Sequence, residues 1–261
     1  MIFKSGHIID FIVILASLVV VYASIKRAET KLPNIRKIPA LDALDEAVGR
    51  AAETGRPIVF TQGSGGTGAI SDPEQGPQIT AGLSCLSHLA ERTAQLGPRL
   101  ICCVGQSDAY IPTTEIVREA YIGAGVPEDF KTEDVRFLGS GNAYAFATVD
   151  VIRTEKAAAT VIIGPFYNES LTFLFHSSDV GALMIGGTAH THQLPFFAAV
   201  CDYTMIGEEI YAASAYLSKL PSEAGSLVGE DLMKGATAAL IIIAILAATI
   251  GATAFLDLMQ I

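Results

Sequence analysis

The chain has 261 residues, 51% of them hydrophobic, and a mean hydropathy of +0.44, which is high for a water-soluble protein. Its 27 acidic residues outnumber its 17 Lys and Arg residues, so the formal net charge is −10. This balance excludes the broad positive surface that binds nucleic acid. The 4 cysteines, two of them adjacent at Cys102 and Cys103, lack the spacing of a disulfide framework and favour a reducing compartment.

The excess of apolar residues is concentrated towards the two ends of the chain. The segment 8–25 carries one charge, Asp10, and as a helix it would be about 27 Å long, enough to cross a hydrocarbon core with little tilt. No A-x-A site follows it and the next residues are basic, so the pattern favours an anchor over a cleaved signal peptide. The segment 236–256 carries no charge and predicts a second transmembrane helix.

The basic residues predict the orientation of both helices. Lys4 precedes the first segment and Lys234 precedes the second, whereas the cluster within 26–37 consists of Lys26, Arg27, Lys31, Arg36 and Lys37. Basic flanks stay on the cytoplasmic side of a membrane. We therefore expect a two-pass protein of the cell membrane, with a cytoplasmic domain, both tails outside, and the basic cluster next to anionic lipid headgroups.

These observations divide the chain into five parts. We expect an N-terminal transmembrane anchor over 1–27, a basic linker over 28–39 and a cytoplasmic domain over 40–220. A polar linker, 221–234, then leads into a C-terminal transmembrane anchor over 235–261. No low-complexity segment interrupts the middle part, which favours one domain over two.

The first half of the middle part alternates helices with short apolar strands. An amphipathic helix is predicted over 40–53 and a strand over 57–61. A helix follows over 78–96, a buried strand over 99–104, and a helix over 113–122 with Thr113 or Thr114 as its cap.

The second half repeats a strand–glycine–helix order at intervals of one βα unit. Apolar runs of this length, separated by helices, are typical of a parallel sheet that is buried on both faces. We therefore predict an α/β fold with a mostly parallel, Rossmann-like sheet and helices on both faces, flanked by the two transmembrane helices. The predicted strands are 135–138, 160–163, 182–185 and 203–206, followed by Gly139, Gly164, Gly186 and Gly207, with helices from Asn142, Asn168, about His192 and Glu208.

A glycine-rich loop over 63–68 satisfies the pattern G-x-G-x-x-G directly after a predicted strand. Such a loop can bring backbone N–H groups onto a phosphate at a helix N-terminus. However, the next helix is predicted only from about Gln78, and Asp108 is too far along the chain to bind a ribose as in the dinucleotide fingerprint. The loop has no Lys, which excludes the P-loop motif. Phosphate binding and a plain surface loop both remain open.

The carboxyl ends of parallel strands meet at one edge of a sheet, where α/β proteins bind ligands. We therefore predict a ligand-binding rim at that edge, although tight βα turns alone would also explain most of its glycines. The predicted rim residues are Gly63, Gly65, Gly68, Asn142, Asn168, Thr188, His190 and His192.

No catalytic set is complete in the sequence. His190 and His192 lack the H-E-x-x-H and C-x-x-C spacings, so we interpret them as a hydrogen-bonded pair at a helix start and predict no metal. No G-x-S-x-G elbow occurs. The sequence predicts no cofactor and favours a protein that is not an enzyme.

The second apolar segment has small residues at four-residue spacing, Ala244, Ala248 and Ala252. Small-xxx-small faces let membrane helices approach closely, and we predict an oligomer contact there. An Ala-rich helix also shows this spacing by chance, so this alternative stays open.

Two stretches, 185–217 and 41–63, resemble a prokaryotic family of membrane-anchored domains of unknown function. The resemblance implies the order of helix, βα domain and C-terminal anchor, and it implies no activity.

The leading functional hypothesis is a structural or scaffold protein that self-associates at the membrane through its α/β domain and its transmembrane helices. The alternative is a membrane-tethered sensor that binds a nucleotide or another small anion at the C-terminal edge of the sheet. The expected partners are the lipid bilayer, further copies of the chain and unidentified membrane proteins, and no nucleic acid.

Overall fold

A computed structural model describes residues 8–63 and 70–249, which fall into two compact units. One unit is Lys37–Leu217, and the other combines the described parts of Met1–Arg36 and Ser218–Ile261. The predicted site residues Gly65, Gly68 and Ala252 lie outside the described residues. The helices are α1 (Ile8–Thr30), α2 (Pro39–Thr54), α3 (Gly76–Leu96), α4 (Ser107–Gly123), α5 (Gly141–Thr154), α6 (Glu169–Asp179), α7 (Leu194–Val200), α8 (Ala213–Ser218) and α9 (Pro221–Thr249), with 3-10 turns at Pro127–Asp129, Thr132–Asp134 and Gly207–Ile210.

The unit Lys37–Leu217 is built on one parallel sheet. Its order, β3-β2-β1-β4-β5-β6, reverses direction between β1 and β4, as in a doubly wound Rossmann-like fold. The predicted α/β class with a parallel sheet is therefore confirmed. The strands are β1 (Ile58–Thr61), β2 (Leu100–Val104), β3 (Val135–Phe137), β4 (Ala159–Ile163), β5 (Leu183–Thr188) and β6 (Tyr203–Ile206).

Successive strand residues point to opposite faces of the sheet, and each face has its own apolar core. Phe60 and Cys102 belong to the core beneath α2, α3 and α4, whereas Val59 and Ile101 belong to the core beneath α5, α6 and α7. Because both faces are covered, the strands need apolar residues at every position, which is why they appear in the sequence as continuous apolar runs. Each fully buried Leu, Ile or Phe contributes about 1.5–3 kcal/mol.

The prediction that the strand ends before Gly186, with this glycine in a turn, is wrong. The strand β5 runs to Thr188, so Gly186 and Gly187 lie inside it. A Cβ on Gly186 would lie 2.6 Å from Cys201 Sγ, and one on Gly187 would lie 2.7 Å from Met205 Cε. Close packing of neighbouring side chains, rather than a turn, therefore accounts for these two glycines.

Several helices begin at other residues than predicted. The helix α4 begins at Ser107 rather than at Thr113, because Pro112 is accommodated inside it. The helix α5 begins at Gly141 after an N-cap at Ser140, so Asn142 is not its cap. The helix α7 begins at Leu194 and not at His192. The helix α6 does follow an N-cap at Asn168, although the Asn168 side chain makes no capping hydrogen bond.

The other unit is a hairpin of α1 and α9. Within the described parts of the chain, one helical segment, Phe11–Thr30, is long and apolar enough to cross a membrane, and 6% of it is buried. The predicted second transmembrane segment, 236–256, corresponds up to Thr249 to the second half of α9, and its remainder lies outside the described residues. Residues 221–234, interpreted as a linker, instead form the first half of α9.

Candidate functional site

The C-terminal rim, meaning the residues that directly follow the strands, begins with a tight crossing of two loops. Gly63, after β1, has φ of 86°, and a Cβ there would overlap the carbonyl oxygen of Pro165, after β4. Gly164 has φ of 151°, and a Cβ there would overlap the carbonyl oxygen of Gln62. The two glycines therefore let the loop segments that follow β1 and β4 contact each other. This contact lies where the strand order reverses, which is where ligands of this fold class usually bind.

His190 is a buried polar side chain on the rim. It is 7% exposed, and its Nδ1 lies 2.9 Å from the carbonyl oxygen of Phe166. Because a carbonyl oxygen only accepts, Nδ1 carries a proton, and in the tautomer with that one proton Nε2 is an acceptor. Nε2 is buried and has no hydrogen-bond partner among the described residues. The fold thus holds one imidazole tautomer in place with its second nitrogen unused.

An aromatic group surrounds this imidazole. The Tyr167 ring lies 4.8 Å from the His190 ring and 5.8 Å from the His192 ring, and the two imidazoles stack at 5.3 Å and 22°. Gln75 Nε2 donates to the Tyr167 hydroxyl at 3.4 Å. The pKa of Tyr167 is raised by burial and then by nearby carboxylates, which shows an acidic surrounding. These carboxylates belong to Glu74, Asp72 and Glu169.

Three glutamines beneath the rim were missed in the sequence. Gln78 Oε1 accepts from the backbone N–H of Ala189 at 3.0 Å, and Gln193 Oε1 accepts from Ser170 Oγ at 2.6 Å. Gln62 Nε2 donates to a threonine hydroxyl at 3.2 Å. All three glutamines are at most 4% exposed. Their positions next to a strand end or a helix start were the available signal, because a polar residue there lies where α/β proteins keep their polar sites.

The structure brings together only part of the predicted site. Thr188 is buried at the end of β5, where its Oγ1 accepts from the backbone N–H of His190 at 3.3 Å. Asn142 is exposed and follows β3, which is four strand spacings, or roughly 19 Å, from β5. Asn168 is also exposed. The described cluster is therefore His190, His192 and Tyr167, with Gly63 linked to it through the loop at Phe166.

The two edges of the sheet differ in charge. The described segments that follow the strands, 62–63, 105–107, 138–140, 164–168, 189–193 and 207–210, contain no Lys or Arg. At the opposite edge Arg56 donates to the carbonyl oxygens of Ala157 and Val180, both at 2.9 Å, and Arg99 pairs with Asp134 and Glu155. An anion at the described part of the rim would therefore rely on N–H groups rather than on cations.

The thiols in the domain are unsuited to nucleophilic chemistry. Burial raises the pKa of Cys85, Cys103 and Cys201 to about 12, so they stay protonated at neutral pH. Across residues 8–63 and 70–249, no three His, Cys, Asp or Glu side chains are grouped so that they could hold a metal ion.

A second candidate site is the contact between α1 and α9. A Cβ on Gly225 would lie 2.5 Å from the Cα of Ile25, and one on Gly229 would lie 3.0 Å from the Cα of Val21. Two glycines four residues apart thus let the helix backbones approach closely, as in membrane helix pairs. The small-residue contact was predicted at Ala244, Ala248 and Ala252. This one was missed because Gly225 and Gly229 lie in the segment interpreted as a linker.

These contacts fix an antiparallel register, because the later glycine of α9 meets the earlier residue of α1. If each helix is followed residue by residue, the polar first half of α9 runs beside the apolar part of α1. Glu230 is then level with Val20, Asp231 with Val19 and Lys234 with Ala16.

The predicted oligomer face is only partly described. Ala244 is half-buried and Ala248 is exposed. Ala248 is uncovered within the described hairpin, so a neighbouring helix has room to approach it.

The fold defines this chain as a Rossmann-like α/β domain that is accompanied by a helical hairpin containing one membrane-length apolar helix. The chain belongs to the family described as Domain of unknown function (DUF6754), whose model matches residues 1–259. The predicted resemblance to an uncharacterised family is thereby confirmed. No curated protein and no solved structure matches the chain.

Proposed function

We propose that the protein is a membrane-anchored structural protein that self-associates, with α1 and the second half of α9 both entering the bilayer. The antiparallel register of the hairpin carries this proposal. It sets the charged turn of α9, Glu230 to Lys234, at the same level as apolar side chains of α1.

One way to place the hairpin puts the apolar part of α1 inside the bilayer. Lys26 is then level with Ala224, so Glu230 lies about 9 Å and Lys234 about 15 Å below the basic boundary. Glu230 and Lys234 pair at 2.8 Å, whereas Asp231 is exposed. A charged side chain near the bilayer centre costs about 2.5–3.5 kcal/mol.

The other way puts only the second half of α9 inside the bilayer. The middle of α1 would then stand in water, although Leu15, Leu18 and Tyr22 are 52%, 63% and 64% exposed. Leaving each such side chain in water forgoes about 1.5–3 kcal/mol of burial. In either placement, the free energy of an isolated hairpin is therefore unfavourable by several kcal/mol.

A second copy relieves both costs. Helices packed around the charged turn would hide it inside a bundle, where ionisable groups in membranes are usually found. The same packing would cover the exposed side chains of α1. Confinement to the membrane plane also raises the effective concentration of the copies, so a modest contact is enough.

The oligomer is tested by native mass measurement of the full chain in detergent and in nanodiscs. We expect a defined oligomer that is weakened by Ala248→Leu, because a larger side chain separates closely packed backbones. The matched control is Ile243→Leu, which keeps the volume at an exposed position of the same helix and should not change the mass. Monomers at every protein concentration would refute self-association.

We also propose that the α/β domain is cytoplasmic, because the basic residues of 26–37 follow the first helix. An impermeant maleimide applied to intact cells should label a Cys added after Ile261 and should not label Ser222→Cys. Three of the native thiols are buried and Cys201 is half-buried, so the background is low. Labelling of Ser222→Cys alone would reverse the topology.

A sensor at the C-terminal rim is the second candidate. The buried Nε2 of His190, for which residues 8–63 and 70–249 offer no hydrogen-bond partner, favours it. A nucleotide or other small anion would find N–H groups but no Lys or Arg in the described segments. A ligand that donates a hydrogen bond to Nε2 fits this acidic surrounding better.

The sensor is tested by mass spectrometry of small molecules released from the purified protein. A stoichiometric molecule that is lost from His190→Ala and kept by His88→Ala would support it. Its absence from the wild-type protein, or equal retention by His190→Ala, would count against the sensor.

A further inference from the structure

We infer that the α1–α9 hairpin binds one anionic phospholipid in a groove between its two helices. This inference deepens the proposed function, because it rests on α1 lying in the membrane. The groove encloses about 640 Å³, within the ~300–1,000 Å³ of small-molecule sites.

The end of the groove farther from the basic cluster is apolar. Val20 and Ala23 of α1 face Val228 and Leu232 of α9 across it. The close approach at Gly225 and Gly229 keeps the helices together behind these side chains. An acyl chain can therefore lie along the seam and contact both helices, which a single flat helix surface would not permit.

The end of the groove next to the basic cluster is positively charged. Arg27 and Lys31 line it, together with the small residues Ser24 and Ala28. Both charged side chains are exposed, and neither has an ion-pair partner elsewhere in the described chain. The neighbouring Lys26 differs, because it pairs with Glu29 at 3.0 Å and does not line the groove.

The sequence of polar and apolar residues along the groove matches a phospholipid. Two unpaired cations stand one helical turn apart, where α1 leaves its apolar stretch, and an apolar trough runs from them into that stretch. Basic pockets between membrane helices on the cytoplasmic side bind anionic headgroups in this way. Arg can bind a phosphate with two hydrogen bonds, and Lys adds a second charge.

The ion pair of α9, Glu230 with Lys234, lies away from this site. Val228 and Leu232 lie on one side of the line through Gly225 and Gly229, because α-helical residues turn by about 100° each. Glu230 and Lys234 fall on the other side. The flank with the groove also carries Asp231, which does not line the groove, whereas the other flank carries the ion pair of Glu230 and Lys234.

The experiment is native mass spectrometry of the full chain released from nanodiscs that contain phosphatidylglycerol and phosphatidylcholine in equal amounts. We expect one retained phosphatidylglycerol per chain, with a preference over phosphatidylcholine of about tenfold, since each basic residue near the surface adds to anionic lipid binding. The double variant Arg27→Gln and Lys31→Gln should lose this preference. The single variant Lys26→Gln is the matched control and should keep it.

The apolar part is tested separately from the charges. Ala23→Phe fills the groove and should lower retention of phosphatidylglycerol about as much as the double variant does. Val19→Phe places the same phenylalanine side chain on α1 outside the groove and should leave retention unchanged.

Three results would overturn the inference. These are equal retention of the two lipids, full retention of phosphatidylglycerol by the double variant, or displacement of the lipid by millimolar inorganic phosphate. The same spectra report the oligomer, so the two proposals fail separately. Monomers that hold the lipid would refute self-association only, and oligomers without it would refute the lipid site only.

Discussion

The two compact units differ in how much of their apolar side-chain surface is buried. In the α/β domain, residues such as Phe60 and Val59 alternate between two cores, and both are at most 1% exposed. In the hairpin, Leu18 of α1 and Ile242 of α9 are 63% and 59% exposed. The domain buries most of its apolar side chains in its own cores, with exceptions such as Ile111 and Phe146, which are 68% and 69% exposed. The hairpin leaves nearly all of its apolar side chains uncovered, and a bilayer or another chain would cover them.

The same residue type produces the closest approaches in both units. In the domain, Gly164 lets one loop cross another, with a backbone conformation that other residues rarely adopt. In the hairpin, Gly225 lets two helix backbones meet in ordinary helical conformation. The comparison predicts that glycine replacement damages folding in the domain and helix pairing in the hairpin.

The largest effect is expected for Gly164→Ala. The new Cβ would overlap the carbonyl oxygen of Gln62, and φ of 151° is strained for alanine. We expect the domain to lose about 2–4 kcal/mol of unfolding free energy, measured by denaturant unfolding of the full chain in detergent. Gly123→Ala is the matched control, since its Cβ would have no neighbour within 4 Å and it should change stability by less than about 1 kcal/mol. Equal effects of the two variants would contradict the loop crossing.

A smaller, local effect is expected for Gly225→Ala. Its Cβ would lie 2.5 Å from the Cα of Ile25, so the helices must move apart, at a cost of about 1–3 kcal/mol. Hydrogen–deuterium exchange should become faster at the amides around Gly225 and stay unchanged in the sheet. Gly235→Ala, which meets nothing within 4 Å in the same helix, should have no such effect. Faster exchange in both variants would show that the contact is unimportant.

The sequence predicted the α/β class well, because a parallel sheet covered on both faces requires apolar strands at regular intervals. It predicted the glycines less well. Gly186 was interpreted as a turn, but β5 runs through it because Phe197 and Cys201 fill the space of a side chain. The need for glycine at this position comes from contacts between residues that are distant in the chain. The hydrophobic periodicity of the sequence contains no information on such contacts.

In the candidate sites, too, some residues were predicted from the sequence and others became apparent only in the structure. The sequence placed His190 and His192 at the rim, and the structure stacks them on Tyr167, which the sequence did not identify. In the hairpin, Gly225 and Gly229 were overlooked inside a polar segment. Their role depends on α1 lying opposite, which only the tertiary structure reveals.

A kinetic comparison of the thiols sharpens the contrast between a closed domain and an open hairpin. Cys85 and Cys103 are buried with a pKa of about 12, so iodoacetamide at pH 8 should modify them more than about 100-fold more slowly than Ser222→Cys on exposed α9. The rates are measured by intact-mass analysis, and unfolding in denaturant should abolish the difference. Comparable rates in the native protein would mean that the domain opens readily.

The smallest effect is expected at the edge of the sheet opposite the rim. Glu155 accepts from Arg136 at 2.8 Å and from Arg99 at 2.9 Å, and the hydrogen bond from Arg136 is the main cause of its lowered pKa. A carboxylate whose pKa is lower in the folded state stabilises the protein above its unfolded pKa of about 4.3, and this contribution disappears as the pH falls through the folded pKa. Glu155→Gln should therefore cost about 0.5–1 kcal/mol at pH 7, with the difference from wild type shrinking below about pH 4. Denaturant unfolding across this pH range measures it, with Glu128→Gln at an exposed position as the control. A difference that stays constant down to pH 3 would show that packing, and not the charge of Glu155, holds β3 and β2 together at this edge.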